Sequence, residues 1–180
     1  MAASSFSLGL QRSLLRMSAP IFAMLCLSFA ALPARAANAC PWMTEATASS
    51  LLGGDAVGAY TAAAGAAPAV CTFTRSSPEA TRTLRVSVEI VSASPHEHLA
   101  TMEQTCGAHA ETLQAIGNEA VFCSTQTPGA SASELALGRV RDQVFTITLA
   151  TSLKGDRELT ADVLKAHLYT AAEQVAGNLF

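Results

Sequence analysis

The sequence lacks several features that mark common classes of protein. It has no acidic residue before Glu45 and no apolar run of the roughly 20 residues that a membrane-spanning helix needs. It has no Cys-x-x-Cys pair, which argues against a thioredoxin-like redox site and a zinc knuckle. Its basic residues form no stripe, the densest pairs being Arg82 with Arg85 and Arg139 with Arg141. Nucleic acid is therefore not an expected partner.

The first 36 residues have the organisation of a Sec-type signal peptide. Arg12 and Arg16 precede an apolar run, 20–32, that is too short to span a bilayer. Ala34-Arg35-Ala36 supplies the small-x-small pattern of a cleavage site and predicts cleavage after Ala36, with Ala37-Asn38-Ala39 as a second candidate. The alternative is an uncleaved membrane anchor. We expect a periplasmic or secreted protein that meets the membrane only during export.

The mature chain would be a single domain of residues 37–180. Its 144 residues suit one hydrophobic core. Three arginines would leave with residues 1–36, so eight basic residues would face fourteen acidic ones, a net charge of −6 against −3 for the whole chain. Cys26 would leave as well, which makes the number of remaining cysteines even.

Four cysteines remain beyond the predicted leader, namely Cys40, Cys71, Cys106 and Cys123. An even number in an exported protein predicts two disulfides, for which three connectivities exist. We favour Cys40–Cys71 and Cys106–Cys123, because each bond would join neighbouring elements. Lipidation of Cys40 is disfavoured, since Asn38 fits a lipobox badly.

Periodicity and capping residues predict a mixture of helices and strands. Thr44 can cap a helix that ends at Gly53-Gly54. The alternation from Leu84 to Ile90 predicts a strand with one buried and one exposed face. Ser94-Pro95-His96-Glu97 has the pattern of a capping box at the start of a second helix. Further strands are predicted at 57–60, 70–74, 121–124, 135–140 and 144–150, with small-residue loops at 61–69 and 127–133.

The last predicted element is a long helix over residues 157–179. Its apolar stripe comprises Leu164, Leu168, Val175 and Leu179, with Ala171 or Ala172 between them. The complete order predicts an α+β fold, a two-layer sandwich in which helices cover one face of a largely antiparallel sheet.

Four short motifs carry a resemblance to a known family. They are Cys40-Pro41-Trp42-Met43-Thr44, Leu52-Gly53, Val70-Cys71-Thr72-Phe73 and Ala115-Ile116-Gly117-Asn118-Glu119-Ala120. With these motifs and the strand-then-helix ending, the chain resembles small secreted bacterial proteins and lipoproteins of unknown function with the PsbP-like α/β sandwich fold. The resemblance implies that fold and the pairing of Cys40 with Cys71. It implies little chemistry, because most of those proteins have no assigned activity.

The richest cluster of polar groups surrounds three histidines. His96, His98 and His109 lie near Cys106, and histidine is a ligand that a periplasmic copper site would use. The alternative is an exposed first helical turn followed by a break at Gly107. Because the spacing of a metal site is missing, we assign neither a metal nor another cofactor.

The function expected from sequence is binding. There is no Gly-x-Ser-x-Gly motif, and we assign no catalytic residue. We expect a non-enzymatic binding or accessory domain for an unknown protein or small-molecule ligand. Trp42 and Tyr60 would form an interaction patch if both were exposed, the alternative being core packing. A small-ligand or lipid carrier with an apolar pocket between sheet and helices is the second hypothesis; a metal-binding protein and a hydrolase are further ones.

Overall fold

A computed structural model describes residues 39–65 and 67–180. The predicted signal peptide and its cleavage site lie outside these residues. The described chain has seven strands: β1 (Val57–Thr61), β2 (Ala69–Ser76), β3 (Thr81–Ile90), β4 (Glu111–Thr112), β5 (Glu119–Ser124), β6 (Ala132–Val140) and β7 (Gln143–Thr151). They form one sheet in the order β1-β2-β3-β7-β6-β5-β4, and every pairing is antiparallel.

Three helices complete the fold: α1 (Glu45–Leu52), α2 (Pro95–Glu103) and α3 (Ala161–Leu179). The predicted α+β fold, with helices packed on a largely antiparallel sheet, is confirmed. Among the described residues no helix is both long and apolar enough to cross a membrane.

The helix starts agree only in part with the predictions. The hydroxyl of Thr44 accepts a hydrogen bond from the Thr47 amide at 3.1 Å, as expected for the first residue of a capped helix. The prediction of a capping box at α2 is wrong, because Ser94 has a φ of 48° and its side chain makes no capping hydrogen bond. The long helix begins at Ala161, with Thr160 as its cap, and not at Arg157. Residues 156–159 serve another purpose, described below.

The two faces of the sheet are covered unequally. On one face α1 and α3 pack over fully buried side chains such as Leu84, Ile147 and Leu149. On the other face α2 covers β6 and β7, and the short 3₁₀ segment after it, Gln104–His109, contacts β5. Leu99 packs there with Leu137 and others in a second buried cluster. The expectation that helices cover one face therefore holds for α1 and α3, whereas α2 lies on the opposite face.

Both favoured disulfides are present. Cys40 bonds to Cys71 and ties the segment before α1 to β2, while Cys106 bonds to Cys123 and ties the chain after α2 to β5. Closing loops of 31 and 17 residues contributes about 4 and 3 kcal/mol on the chain-entropy model. Two such bonds fit a protein that folds outside the reducing cytoplasm.

A buried ion pair joins β3 to the segment before α3. Arg82 is 6% exposed and donates two hydrogen bonds to Asp156, which is 5% exposed, at 2.8 and 2.7 Å. The same guanidinium donates to the Leu52 carbonyl at the end of α1. Asp156 also accepts from the Thr151 hydroxyl and from the Leu159 amide. Residues 156–159 are therefore held in a bonded turn, which explains the late start of α3.

These bonds decide the charge of Asp156. Burial alone raises the pKa of a carboxyl group, but the hydrogen bonds from Arg82 and Thr151 outweigh burial and hold the pKa of Asp156 below its usual value. A carboxylate with a lowered pKa stabilises the folded state above its unfolded pKa, and this stabilisation is lost as the pH falls through the folded pKa.

We expect Arg82→Met to lower the free energy of unfolding by about 3–5 kcal/mol at neutral pH, because it leaves the Asp156 carboxylate buried without its cation. Arg75→Met is the matched control, since Arg75 pairs with the exposed carboxylate of Glu158 and its loss should cost about 1 kcal/mol or less. Urea unfolding measures both. The free energy of unfolding of the wild type should decrease as the pH falls below about 4. An equal loss of unfolding free energy in the two variants would contradict the role of the buried pair.

Candidate ligand-binding site

The predicted interaction patch lies in the core layer. Trp42 is 8% exposed and Tyr60 is half-buried, and their rings meet edge to face with centroids 6.1 Å apart. The Trp42 carbonyl also accepts a hydrogen bond from Asn178 near the end of α3. This arrangement offers a partner the outer part of the Tyr60 ring and little of Trp42.

The three candidate metal ligands share no common partner in the structure. His96 pairs with Glu119 at 2.8 Å and His98 with Glu89 at 2.7 Å. His109 lies beyond Gly107, whose φ of 59° breaks the helical line. In the described segments no three His, Cys, Asp or Glu side chains come close enough to hold a metal ion.

The sheet face opposite α1 and α3 has a part, on β2, β3 and β7, that none of the described helices covers. Most of its half-buried or exposed side chains are polar: Thr72, Thr74, Thr83, Arg85, Ser87, Thr146 and Thr148. We call this set the hydroxyl face. Val70 and Ala150 are apolar neighbours on the same side. The strand register places Arg85 between Thr72 and Thr148, so three polar side chains stand in a row across three strands.

A cleft of about 320 Å³ opens at one end of the hydroxyl face. Its floor is formed by Thr83, Arg85 and Thr148, and its far wall by residues 127–130. No hydrogen bond within the described chain uses the Thr83 or Thr148 hydroxyl, so both can bind a ligand or water. The volume lies within the usual range of small-molecule sites, about 300–1,000 Å³.

The wall of the cleft is an ordered turn. The Ala130 amide donates to the Thr127 carbonyl at 3.0 Å, and Gly129 has a φ of 79°. Proline before such a glycine is typical of a type II turn, which requires a positive φ at the third position. Ser131 then fixes the turn to the end of β7 through two bonds of 2.8 Å, one to the Thr151 carbonyl and one to the Ser152 carbonyl.

A second polar group lies on the opposite face, under α3. Glu134 is 8% exposed, and one of its carboxylate oxygens accepts from Ser124 at 3.1 Å. The other oxygen is buried without a hydrogen-bond partner among the described residues. Burial raises the pKa of Glu134, and Glu111 adds to this effect, while Ser124 and the Lys165 ammonium offset it only in part. The proton is therefore held more tightly in the folded protein than in the unfolded chain.

This proton has a measurable consequence for stability. Because the folded pKa of Glu134 is raised, unfolding becomes easier as the pH rises from the unfolded pKa, about 4.3, to the folded pKa. We expect Glu134→Gln to remove this decline and to raise the free energy of unfolding at pH 7 by about 1 kcal/mol. Glu173→Gln, on the exposed side of α3, should change it by less than about 0.5 kcal/mol. Identical pH profiles for wild type and Glu134→Gln, measured by urea unfolding, would refute the assignment.

Comparison of the chain with protein-family models, curated proteins and solved structures found no match. The resemblance to small secreted proteins with the PsbP-like fold therefore stays a prediction from sequence.

The sequence contained part of the signal for the hydroxyl face. The alternation along β3 places Arg85 and Ser87 on an exposed side, and that along β7 does the same for Thr146 and Thr148. What the sequence did not show is that β7 lies directly beside β3, although 52 residues separate Ile90 from its partner Gln143. Without knowledge of this pairing, the sequence does not show that the threonines of β3 and β7 lie side by side on one surface.

Proposed function

We propose that the chain is an exported, non-enzymatic binding or accessory domain that binds its partner through the hydroxyl face. The observation that carries the proposal is a sheet face that α2 covers only in part, with mostly polar side chains and a cleft on the remainder. The turn at residues 127–130 bounds the cleft and is bonded to the end of β7 through Ser131.

Export is supported by the leader pattern of residues 1–36 together with the two disulfides. We propose a periplasmic or secreted location on this basis. The four described cysteines, Cys106 among them, are consumed in disulfide bonds, so none of them is available as a thiol nucleophile.

The export proposal is tested by the intact mass of the protein purified from the medium or the periplasm. We expect the mass of residues 37–180 less four hydrogens, because cleavage follows Ala36 and all four remaining cysteines are oxidised. Recovery of the full chain with free thiols from the cytoplasmic fraction alone would contradict export, and an added diacylglycerol at Cys40 would identify a lipoprotein.

A small-ligand carrier is the second candidate, and the size of the cleft favours it. The space between the sheet and the two helices α1 and α3 is filled by fully buried side chains, including Leu52, Leu164 and Leu168. A carried ligand would therefore occupy the cleft on the hydroxyl face and not the layer between sheet and helices.

The binding surface is tested by native mass spectrometry of the protein purified from its own compartment. We expect a retained protein or small molecule in the wild type and its loss in Thr148→Tyr, because a tyrosine there suits a strand but fills the cleft floor. Thr170→Tyr, on the exposed side of α3, is the control and should retain the partner. Retention by both variants would exclude the hydroxyl face as the binding surface.

A retained small molecule in this experiment would favour the carrier, and a retained protein the accessory role. Far-ultraviolet circular dichroism and thermal unfolding of both variants separate loss of binding from loss of folding.

A further inference from the structure

Arg85 is the one charged side chain that lines the cleft within the described residues. It is exposed, and in the described part of the chain no carboxylate forms an ion pair with it. Four other cations have carboxylate partners: Arg75 and Arg82 pair with the acidic residues before α3, Arg139 with Glu119 and Lys165 with Glu111. Arg141, Lys154 and Arg157 also form no ion pair within the described residues, but Arg85 differs from them because it lines a cleft whose lining has no acidic group.

The surroundings of Arg85 supply donors for an anion. A guanidinium presents a planar set of N–H groups that matches the oxygens of a carboxylate, sulfate or phosphate, and it is weakly hydrated. Thr148 stands beside Arg85 on the neighbouring strand, about 4.8 Å away, and Thr83 lies two residues along the same strand on the same side. Both hydroxyls can donate to a second oxygen of the same ligand.

The cleft favours a small ligand with a single anionic group. A polyanion such as nucleic acid would need several cations, but the lining has one, and the mature domain would carry a net charge of −6. The remaining lining is mixed. Thr81, Thr127 and Ser152 carry hydroxyls that suit the hydroxyl groups of a polar ligand, whereas Pro128, Ala130 and Ala150 offer apolar surface.

We propose that Arg85, with the hydroxyls of Thr83 and Thr148, forms a binding site for a small polar molecule that carries one carboxylate, sulfate or phosphate group. This inference rests on the proposed binding function of the hydroxyl face and names the chemical class of its ligand.

The test uses D-glucuronate, D-glucose and inorganic sulfate as probes in calorimetric and NMR titrations of the mature protein. Glucuronate and glucose share a ring and most hydroxyl groups but differ in the carboxylate. We expect glucuronate to bind and glucose to bind at least tenfold more weakly. We expect Arg85→Gln to weaken glucuronate binding by about tenfold to a hundredfold, the range for a lost hydrogen bond to a charged group.

Two variants serve as controls for charge and for position. Arg157→Gln removes an exposed arginine outside the cleft and should leave the affinity unchanged. Arg85→Lys keeps the charge but loses the planar pair of donors, so its affinity should fall between those of the wild type and Arg85→Gln. Sulfate binding as tight as glucuronate binding would identify a free inorganic anion as a sufficient ligand; tighter glucuronate binding would indicate an acidic sugar or a similar organic acid.

The inference is overturned if no probe binds at millimolar concentration, if glucose binds as well as glucuronate, or if Arg85→Gln binds like the wild type. Its failure can be told apart from failure of the proposed function. If Thr148→Tyr loses the native partner while Arg85→Gln retains it, the hydroxyl face binds without an anion contact. If both variants retain the partner, both proposals fail.

Discussion

The pleat of a β-sheet presents two faces, and each must be buried or made polar separately. Here α1 and α3 are both committed to one face, and α2 is long enough to cover only part of the other. Outside its reach, the described side chains of β2, β3 and β7 on that side are mostly polar, although Val57 of the edge strand β1 is exposed there. Threonine meets both demands, because its branched stem suits a strand and its hydroxyl can face water or a ligand. The hydroxyl face thus follows from how three helices are shared between two faces.

The two arginines of β3 show how strongly position decides the role of a side chain. Arg82 and Arg85 are three residues apart and so point to opposite faces. Arg82 is buried, and its guanidinium donates hydrogen bonds to Asp156, Glu158 and the Leu52 carbonyl. These bonds join α1, β3 and the segment before α3. Arg85 faces the cleft and keeps its donors available. Arg82 therefore stabilises the fold, while Arg85 is available to a ligand in the cleft.

Sequence patterns predicted what depends on neighbours along the chain. The cap at Thr44, the alternation of β3 and β7, and the apolar stripe of α3 are local signals, and the structure confirms them. The start of α3 was misplaced because Asp156 is bonded to Arg82, a residue 74 positions away. The cleft was missed for the same reason, since it requires the pairing of β3 with β7. The burial of Glu134 likewise depends on where α3 crosses the sheet.

The wall of the cleft is ordered at its base as well as at its tip, and this bears on how a ligand would bind. The Thr125 amide donates a hydrogen bond to the Ser133 carbonyl at 3.0 Å, and the Ser133 hydroxyl donates one to the Thr125 carbonyl. On the other face of the same two strands, the Ser124 hydroxyl donates to Glu134. Cys123, next to this base, is bonded to Cys106. A loop closed in this way has little conformational entropy left to lose when a ligand arrives. The wall of the cleft is therefore already formed before a ligand binds, and the exposed Arg85 with the hydroxyls of Thr83 and Thr148 supplies the groups that contact the proposed small anionic molecule.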